Sequence, residues 1–340
     1  MDLAEFDYDL PAGAIAQRPA EPRDAARLLV DAPLAGGAVA HRTVAELPGL
    51  VRAGDVLVVN TTRVLPARLR LRKPTGGEVE VLLLEELPGG RWEALVRPSR
   101  RVRPGSVLAA GDDLEVHVGG PGPGDGTREV RLRVPAGEDE LVVLGRHGTV
   151  PLPPYITTPL ADPERYQTVF ADRPGSVAAP TAGLHLTDPV LDRCRDAGAT
   201  VAPVELVVGM GTFRPVTAAK VEDHHMHAER YTVPAATLAA CEEARARGGR
   251  VVAVGTTSVR ALESAAASGE LSGRTELFIR RPWAWREVDV LLTNFHLPRS
   301  SLLVLLDAFV GPRWRELYGV ALAEGYRFLS FGDAMVVVRA

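Results

Sequence analysis

Asp223-His224-His225-Met226-His227-Ala228-Glu229 puts three of the eight histidines beside two carboxylates. Imidazole titrates nearest neutrality, so such a cluster can give or take a proton. His224 and His227 stand three apart, close enough for one shared ligand, and Glu229 can orient either ring. No second Cys/His cluster completes a metal site. A solvated polar loop is the plain alternative. His185 stands apart from this group, in Arg173-Pro-Gly-Ser-Val-Ala-Ala-Pro-Thr-Ala-Gly-Leu-His-Leu-Thr-Asp188. There Pro174-Gly175-Ser176 reads as a turn, and Pro180 and Gly183 bracket Thr181, where the backbone can approach a ligand. Thr187-Asp188-Pro189 then opens a helix that stops at Gly198, and its N-terminus favours a neutral imidazole at His185.

Hydroxyls, amides and glycines gather at other points. Val251-Val-Ala-Val-Gly255-Thr-Thr-Ser-Val-Arg260 reads as a buried strand, a glycine turn and a helix start. That arrangement aims N–H groups and the hydroxyls of Thr256, Thr257 and Ser258 at an anion or polar molecule, with Arg260 nearby. The bland reading makes one of those hydroxyls a structural helix cap. Val204–Val208 leads into Gly209-Met-Gly211-Thr212-Phe-Arg-Pro215, a second glycine exit. It is not a dinucleotide fingerprint, because Arg214 stands where the third glycine belongs. Asp289–Leu292 delivers Asn294 and His296, and Gly332-Asp333 holds an Asp that can bind a ribose hydroxyl or simply cap its turn.

These residues need elements to position them. Residues 1–66 carry short strands at Leu28–Val30 and Val56–Val59, the latter ending in Asn60-Thr61-Thr62-Arg63. Residues 150–340 alternate strands (Val201–Val208, Val251–Val254, Glu276–Ile279, Val288–Leu292) with helices (Ala235–Arg247, Ser258–Ser268, Ser301–Phe309, Arg313–Ala323). Polar groups at strand exits are where α/β sheets place ligands. Between them, residues 67–149 show short alternating runs separated by Gly/Pro clusters: Ala67–Leu71, Glu78–Glu85, Trp92–Val96, Ser106–Leu108, Leu114–Val118, Arg128–Val134 and Glu140–Leu144. This is the pattern of a small antiparallel barrel or sandwich. The expected fold is an α/β main domain (1–66 and 150–340; mixed sheet with helices) interrupted by an inserted all-β barrel domain (67–149).

With 340 residues, two domains are the natural expectation. A net charge of −4 gives no electrostatic argument for nucleic acid, though a local basic face can coexist with an acidic remainder. Cys194 and Cys241 have no metal-ligand spacing and fit a reducing compartment. Met1–Glu5 has no secretory pattern, and no apolar run approaches a membrane span. A cytoplasmic protein without membrane contact is expected.

The same residues carry a resemblance. Asp7-Tyr8-Asp9-Leu10-Pro11, Pro151-Leu-Pro-Pro-Tyr-Ile156, Glu164-Arg-Tyr-Gln-Thr168, Pro174–Leu184 and Gly211-Thr-Phe-Arg-Pro-Val216 are part of it. So are the His224/Met226/His227/Glu229 pattern, Val254–Arg260, Thr293–Pro298 and Phe331–Met335. Together, across nearly the whole chain, they resemble the S-adenosylmethionine:tRNA ribosyltransferase-isomerase family of queuosine biosynthesis. The resemblance implies an α/β domain interrupted by a β-barrel. It implies S-adenosylmethionine as co-substrate without a metal, and a tRNA partner bound near its anticodon. The implied reaction transfers and isomerises the ribosyl part of S-adenosylmethionine onto 7-aminomethyl-7-deazaguanine, giving epoxyqueuosine and releasing adenine and methionine.

That chemistry needs a base for a C5′ proton beside the sulfonium, an acid for departing adenine and donors for the methionine carboxylate. Within the resemblance His185 and His227 are acid/base candidates, with His224 beside them and Glu229 as orienter. Thr256, Thr257, Ser258 and Arg260 fall to the methionine or ribose portion. Asn294, His296 and Asp333 fall to substrate polar groups, and Thr181, Gly183, Gly209, Gly211 and Thr212 to substrate contact. The chain departs from the family pattern at Thr61 (usually Asp), Val207 (usually His), Thr149-Val150, Leu186 and Arg281-Pro282-Trp283. Those departures keep two alternatives open: a paralogue using the same chemistry on a different acceptor, a small molecule among the options, and a non-catalytic binder of S-adenosylmethionine or RNA.

Overall fold

The structure, a computed structural model, describes residues 1–209, 216 and 218–340. The chain divides into two compact units. One comprises Met1–Thr62, Pro153–Asp172 and Ala179–Ala340; the other comprises Arg63–Leu152 and Arg173–Ala178.

The chain begins with β1 (Arg27–Val30), a helical turn α1 (Ala32–Ala35), β2 (Ala40–Thr43), β3 (Val56–Asn60) and β4 (Thr62–Val64). Then come β5 (Arg68–Arg72), β6 (Glu78–Leu87), β7 (Arg91–Arg97), β8 (Val107–Ala110), β9 (Leu114–Pro121) and β10 (Arg128–Arg133). They are followed by α2 (Glu140–His147), β11 (Gly148–Thr149) and β12 (Arg173–Ser176). Next are α3 (Asp188–Asp196), β13 (Thr200–Leu206), β14 (Glu229–Thr232), α4 (Ala235–Ala246), β15 (Val251–Val254) and α5 (Thr256–Ser268). The chain ends with β16 (Ser272–Thr275), β17 (Val290–Asn294), α6 (Ser301–Val310), α7 (Trp314–Ala323) and β18 (Ala334–Val338).

The first unit is built on a nine-stranded mixed sheet in the order β16-β14-β13-β3-β15-β17-β18-β1-β2. Its centre, β13-β3-β15-β17, is parallel. Every residue of β3, β15 and β17 is buried, the mark of strands covered on both faces, which is why they read as continuous Val/Leu runs. One face packs Leu57, Val59, Val252, Val254 and Leu292 with Leu186, Val190, Leu191 and Cys194 from α3 and the turn before it. Each such side chain contributes about 1.5–3 kcal/mol on burial. Being parallel, the four strands discharge their carboxyl ends along one edge: Asn60, Leu206, Val254 and Asn294.

The second unit is a closed barrel of six antiparallel strands, β5-β6-β7-β10-β9-β8, shut by pairing of Arg72 on β5 with Ala109 on β8. Leu69, Leu71, Val79, Val81, Val96, Val116 and Val118 alternate inward, as the sequence pattern requires.

Four local expectations are corrected. Glu140–Leu144 forms the helix α2, because Asp139 accepts the Leu141 N–H as an N-cap and outweighs the β-prone Leu-Val-Val-Leu run. Arg173–Ser176 is extended, and the Leu65 N–H donates to the Ser176 carbonyl at 2.9 Å. Glu276–Ile279 is irregular, the strand lying earlier at Ser272–Thr275. Finally, α5 begins at Thr256 with Gly255 as its cap residue, so none of the three hydroxyls caps it.

Candidate active site

The carboxyl edge of the parallel strands opens into a cleft, the place where α/β sheets put their ligands. Val208 beyond β13, Gly255-Thr256-Thr257 beyond β15 and Thr293–Leu297 around the end of β17 supply its polar wall. Ala179–Ala182, Ser300 and Leu302 at the start of α6, and Tyr155, Leu329 and Ser330 complete it.

At β17 the polar side chains form a connected set. The Nδ2 of Asn294 donates to the Leu329 carbonyl at 3.2 Å and meets His185 Nε2 at 2.9 Å, while its Oδ1 accepts from the Thr181 hydroxyl at 2.9 Å. A carbonyl can only accept, so it fixes which end of the amide is nitrogen; His185 Nε2 is then the acceptor and its proton sits on Nδ1. Burial lowers the His185 pKa to about 4, opposed by the charge of Asp333, so the ring is neutral. His185 does not itself line the cleft; it holds Asn294, which does.

His296 lines the cleft directly, with Nε2 3.1 Å from the Thr293 hydroxyl. Burial alone lowers its pKa to about 3. Its backbone is held from both sides: the N–H donates to the Tyr318 hydroxyl at 2.8 Å, and the carbonyl accepts from the Tyr8 hydroxyl. Tyr8 and Tyr318 belong to an aromatic cluster with Trp314, Phe295 and Phe328. The Asp7-Tyr8-Asp9 motif thus positions His296 from the far end of the chain.

At β15 the wall is a helix N-terminus. Gly255 takes φ 85° and ψ 154°, a conformation costly for any side chain, and turns the strand straight into α5. The helices α3 and α6 are capped by Thr187 and Ser300; α5, like α4 and α7, has no side-chain cap, and its first turn, Thr256-Thr257, lines the cleft. Thr257 lines the cleft and its Oγ1 is buried without a hydrogen-bond partner. One turn along, Arg260 is also buried, with Nε donating to the Leu277 carbonyl at 3.2 Å, Nη1 paired with Glu229 and Nη2 unpartnered. Burial lowers the Arg260 pKa to about 10, which leaves it charged. Glu229 also accepts the Gly209 N–H at 3.1 Å, tying the exit of β13 to α5.

Other expected residues lie elsewhere. The Ser258 hydroxyl donates to the Val254 carbonyl at 2.8 Å and does not face the cleft. Gly183 is needed for packing, since a Cβ there would stand 2.6 Å from the Phe170 ring. Asp333 is taken up by protein: it accepts the Arg27 N–H at 3.0 Å and the Arg327 N–H at 2.8 Å, joining β1 to the turn before β18. His224 is half-buried edge-on to Phe278, which lowers its pKa, and His227 is exposed; neither lines the cleft. Gly211 and Thr212 lie outside the described residues. Among the described residues no group of three His, Cys, Asp or Glu side chains is arranged to hold a metal ion, and no helix is long and apolar enough to cross a membrane.

Sequence reasoning missed Tyr155, Ser330 and Leu329. Tyr155 and Ser330 hydroxyls meet at 2.7 Å on the cleft wall, and burial pushes the phenol up to about 12. Leu329 carries φ 68°, a left-handed conformation unusual for a branched apolar residue, and its carbonyl is the one that fixes Asn294.

Comparison with known proteins gives a consistent result. A family model described as "Queuosine biosynthesis protein" matches residues 3–337. The chain is 54% identical over 341 residues to an S-adenosylmethionine:tRNA ribosyltransferase-isomerase from Rubrobacter xylanophilus, covering 99% of this chain and 98% of that one. It is 52% identical to the protein of that name from Anaeromyxobacter dehalogenans, over the full length of both. Among solved structures it is similar to an S-adenosylmethionine tRNA ribosyltransferase from Thermotoga maritima, at 37% identity and a TM-score of 0.56, covering 98% of this chain and 100% of that one.

Proposed function

The chain belongs to the queuosine biosynthesis protein family, and from that premise we propose that it transfers and isomerises the ribosyl part of S-adenosylmethionine onto 7-aminomethyl-7-deazaguanine in tRNA, releasing adenine and methionine. The observation that carries the reading to this cleft is the uncapped N-terminus of α5, where Thr257 lines the cavity and its buried hydroxyl has no partner. A buried hydroxyl without a partner costs about 1–3 kcal/mol. A carboxylate placed there satisfies it and gains the helix dipole and first-turn N–H groups. The methionine end of S-adenosylmethionine brings that carboxylate.

The remaining roles follow from the same placement. His296, neutral and on the cleft wall, is the base for the C5′ proton. Asn294 Oδ1 keeps an acceptor position for a ribose hydroxyl, and Thr181 and His185 hold the amide. Tyr155, with its raised pKa, stays protonated and donates a hydrogen bond. Glu229 and Arg260 anchor the exit of β13. His224 and His227, on the segment leading into Glu229, serve the acceptor side. Residues 67–149 form a domain inserted into the α/β chain of 1–66 and 150–340. Three of the family departures are taken up by contacts within the protein: the Thr61 hydroxyl donates to the Val204 carbonyl, Leu186 is core, and Arg281 and Trp283 donate to Asp307 and Glu263; nothing in the structure explains Val207 or Thr149-Val150. None of them favours a different acceptor.

The test is isothermal calorimetry with S-adenosylmethionine and with its decarboxylated analogue. A loss of about tenfold or more in affinity on removing the carboxylate is expected for wild type, and a smaller loss for Thr257→Val, which keeps the helix dipole and first-turn N–H groups. Equal affinity of wild type for both compounds would overturn the placement.

A further inference from the structure

The barrel is electrically polarised along its axis. At one end β5, β7 and β9 finish and β6, β8 and β10 begin, joined by segments 73–77, 98–106 and 122–127. This end carries Arg72, Lys73, Arg97, Arg100, Arg101 and Arg103, all exposed except the half-buried Lys73, against three acidic residues, Glu78, Glu80 and Asp125. Lys73 Nζ bonds to the Arg101 carbonyl, which brings the two segments together. The other end, at segments 111–113 and 134–139, carries Asp112, Asp113, Glu138 and Asp139.

The two ends also differ in how their arginines are neutralised. Away from the basic end Arg91 meets Glu129 at 2.8 Å, and Arg146 meets Glu138 at 2.7 Å and Asp113 at 2.9 Å. At the basic end Arg72 has only a 3.8 Å pair with Glu78 between two exposed side chains. Among the described residues Arg97, Arg100, Arg101 and Arg103 form no ion pair, although Glu80 stands opposite Arg97 in register. Adjacent like charges repel, and an anionic partner relieves that repulsion. Guanidinium groups in series match a chain of phosphates, each able to take a two-pronged contact.

We infer that this end of the barrel is a binding surface for the phosphate backbone of tRNA. It deepens the proposed reaction, resting on tRNA as the acceptor, and assigns substrate affinity to arginines that have no part in the cleft. Contacts of this kind fix position on the RNA without reading bases.

The experiment compares wild type with Arg100→Gln/Arg101→Gln/Arg103→Gln and with an acidic-end control, Asp112→Asn, each checked for unchanged thermal unfolding. Affinity for tRNA bearing 7-aminomethyl-7-deazaguanine is read against salt concentration, alongside turnover at saturating tRNA. The triple variant should bind about tenfold or more weakly at low salt, with the log–log salt slope flattened by about 0.7–0.9 for each phosphate no longer neutralised. Its turnover at saturating tRNA and its KM for S-adenosylmethionine should match wild type, and the control should behave as wild type. Unchanged tRNA affinity and slope in a folded triple variant would overturn the surface while leaving the reaction intact. Wild type that binds tRNA but transfers nothing would overturn the reaction, and weakened binding in the triple variant would still support the surface.

Discussion

Thr257 and His296 meet the same cleft with opposite chemistry, one lacking a partner and the other kept neutral by burial. Because the Thr257 hydroxyl is buried and bonds nothing in the protein, Thr257→Val should leave the ligand-free protein at least as stable, with a gain of up to about 1–3 kcal/mol, while raising the KM for S-adenosylmethionine by tenfold or more. A drop in stability equal to the drop in function would mean that the hydroxyl is structural. The histidines predict a pH effect. Both folded pKa values are depressed, to about 4 for His185 and about 3 for His296. Above the ordinary value of 6.5 neither state binds the protons and stability is full. As the pH falls below 6.5 the unfolded chain takes up two protons that the folded chain refuses, so stability is lost progressively down towards pH 4 and 3. Near pH 5 the slope from this pair approaches about 3 kcal/mol per pH unit. Urea unfolding between pH 7 and 5 checks it, and His185→Gln should remove about half of the slope. His185 also differs from His296 in reach. With Nε2 occupied by Asn294, His185→Ala should lower kcat by displacing the amide yet keep the shape of the pH–rate profile, whereas His296→Ala should abolish turnover. A changed profile in His185→Ala would make it the base.

Among the elements, the strand exits were legible and the cross-braces were not. Val56–Val59, Val251–Val254 and the run before Asn294 announce buried parallel strands, and the polar residues after them mark the cleft edge. The sequence also shows Gly255 turning a strand into a helix, though not that the hydroxyls beyond it go unused as caps. Tyr155, Leu329 and Ser330 come from segments without period-2 or 3.6 patterning, so nothing local marks them. Asp333 shows the converse: a polar residue beside glycine looked available, and the backbone N–H groups that occupy it come from Arg27 and Arg327. The Tyr8 brace is another long-range contact, and it predicts that Tyr8→Phe costs about 1 kcal/mol of stability and lowers kcat by loosening His296, with KM for S-adenosylmethionine nearly unchanged. Equal kcat in Tyr8→Phe and wild type would separate the brace from the chemistry.

For the whole molecule, a net charge of −4 concealed the feature that bears on an RNA partner, because one end of the barrel carries more basic than acidic residues. Total charge reports on neither surface nor site, whereas the order of the strands reports on both: it gathers four carboxyl ends into one cleft and collects unpaired arginines at one barrel rim. Everything proposed for these residues depends on the cleft performing ribosyl transfer to RNA. That is tested by incubating the protein with S-adenosylmethionine and an anticodon stem-loop bearing 7-aminomethyl-7-deazaguanine, then reading the RNA by mass spectrometry and the supernatant for adenine. An RNA mass gain matching one epoxycyclopentane addition is expected, with one adenine released per RNA modified. RNA of unchanged mass, whether or not adenine is released, would refute ribosyl transfer to RNA.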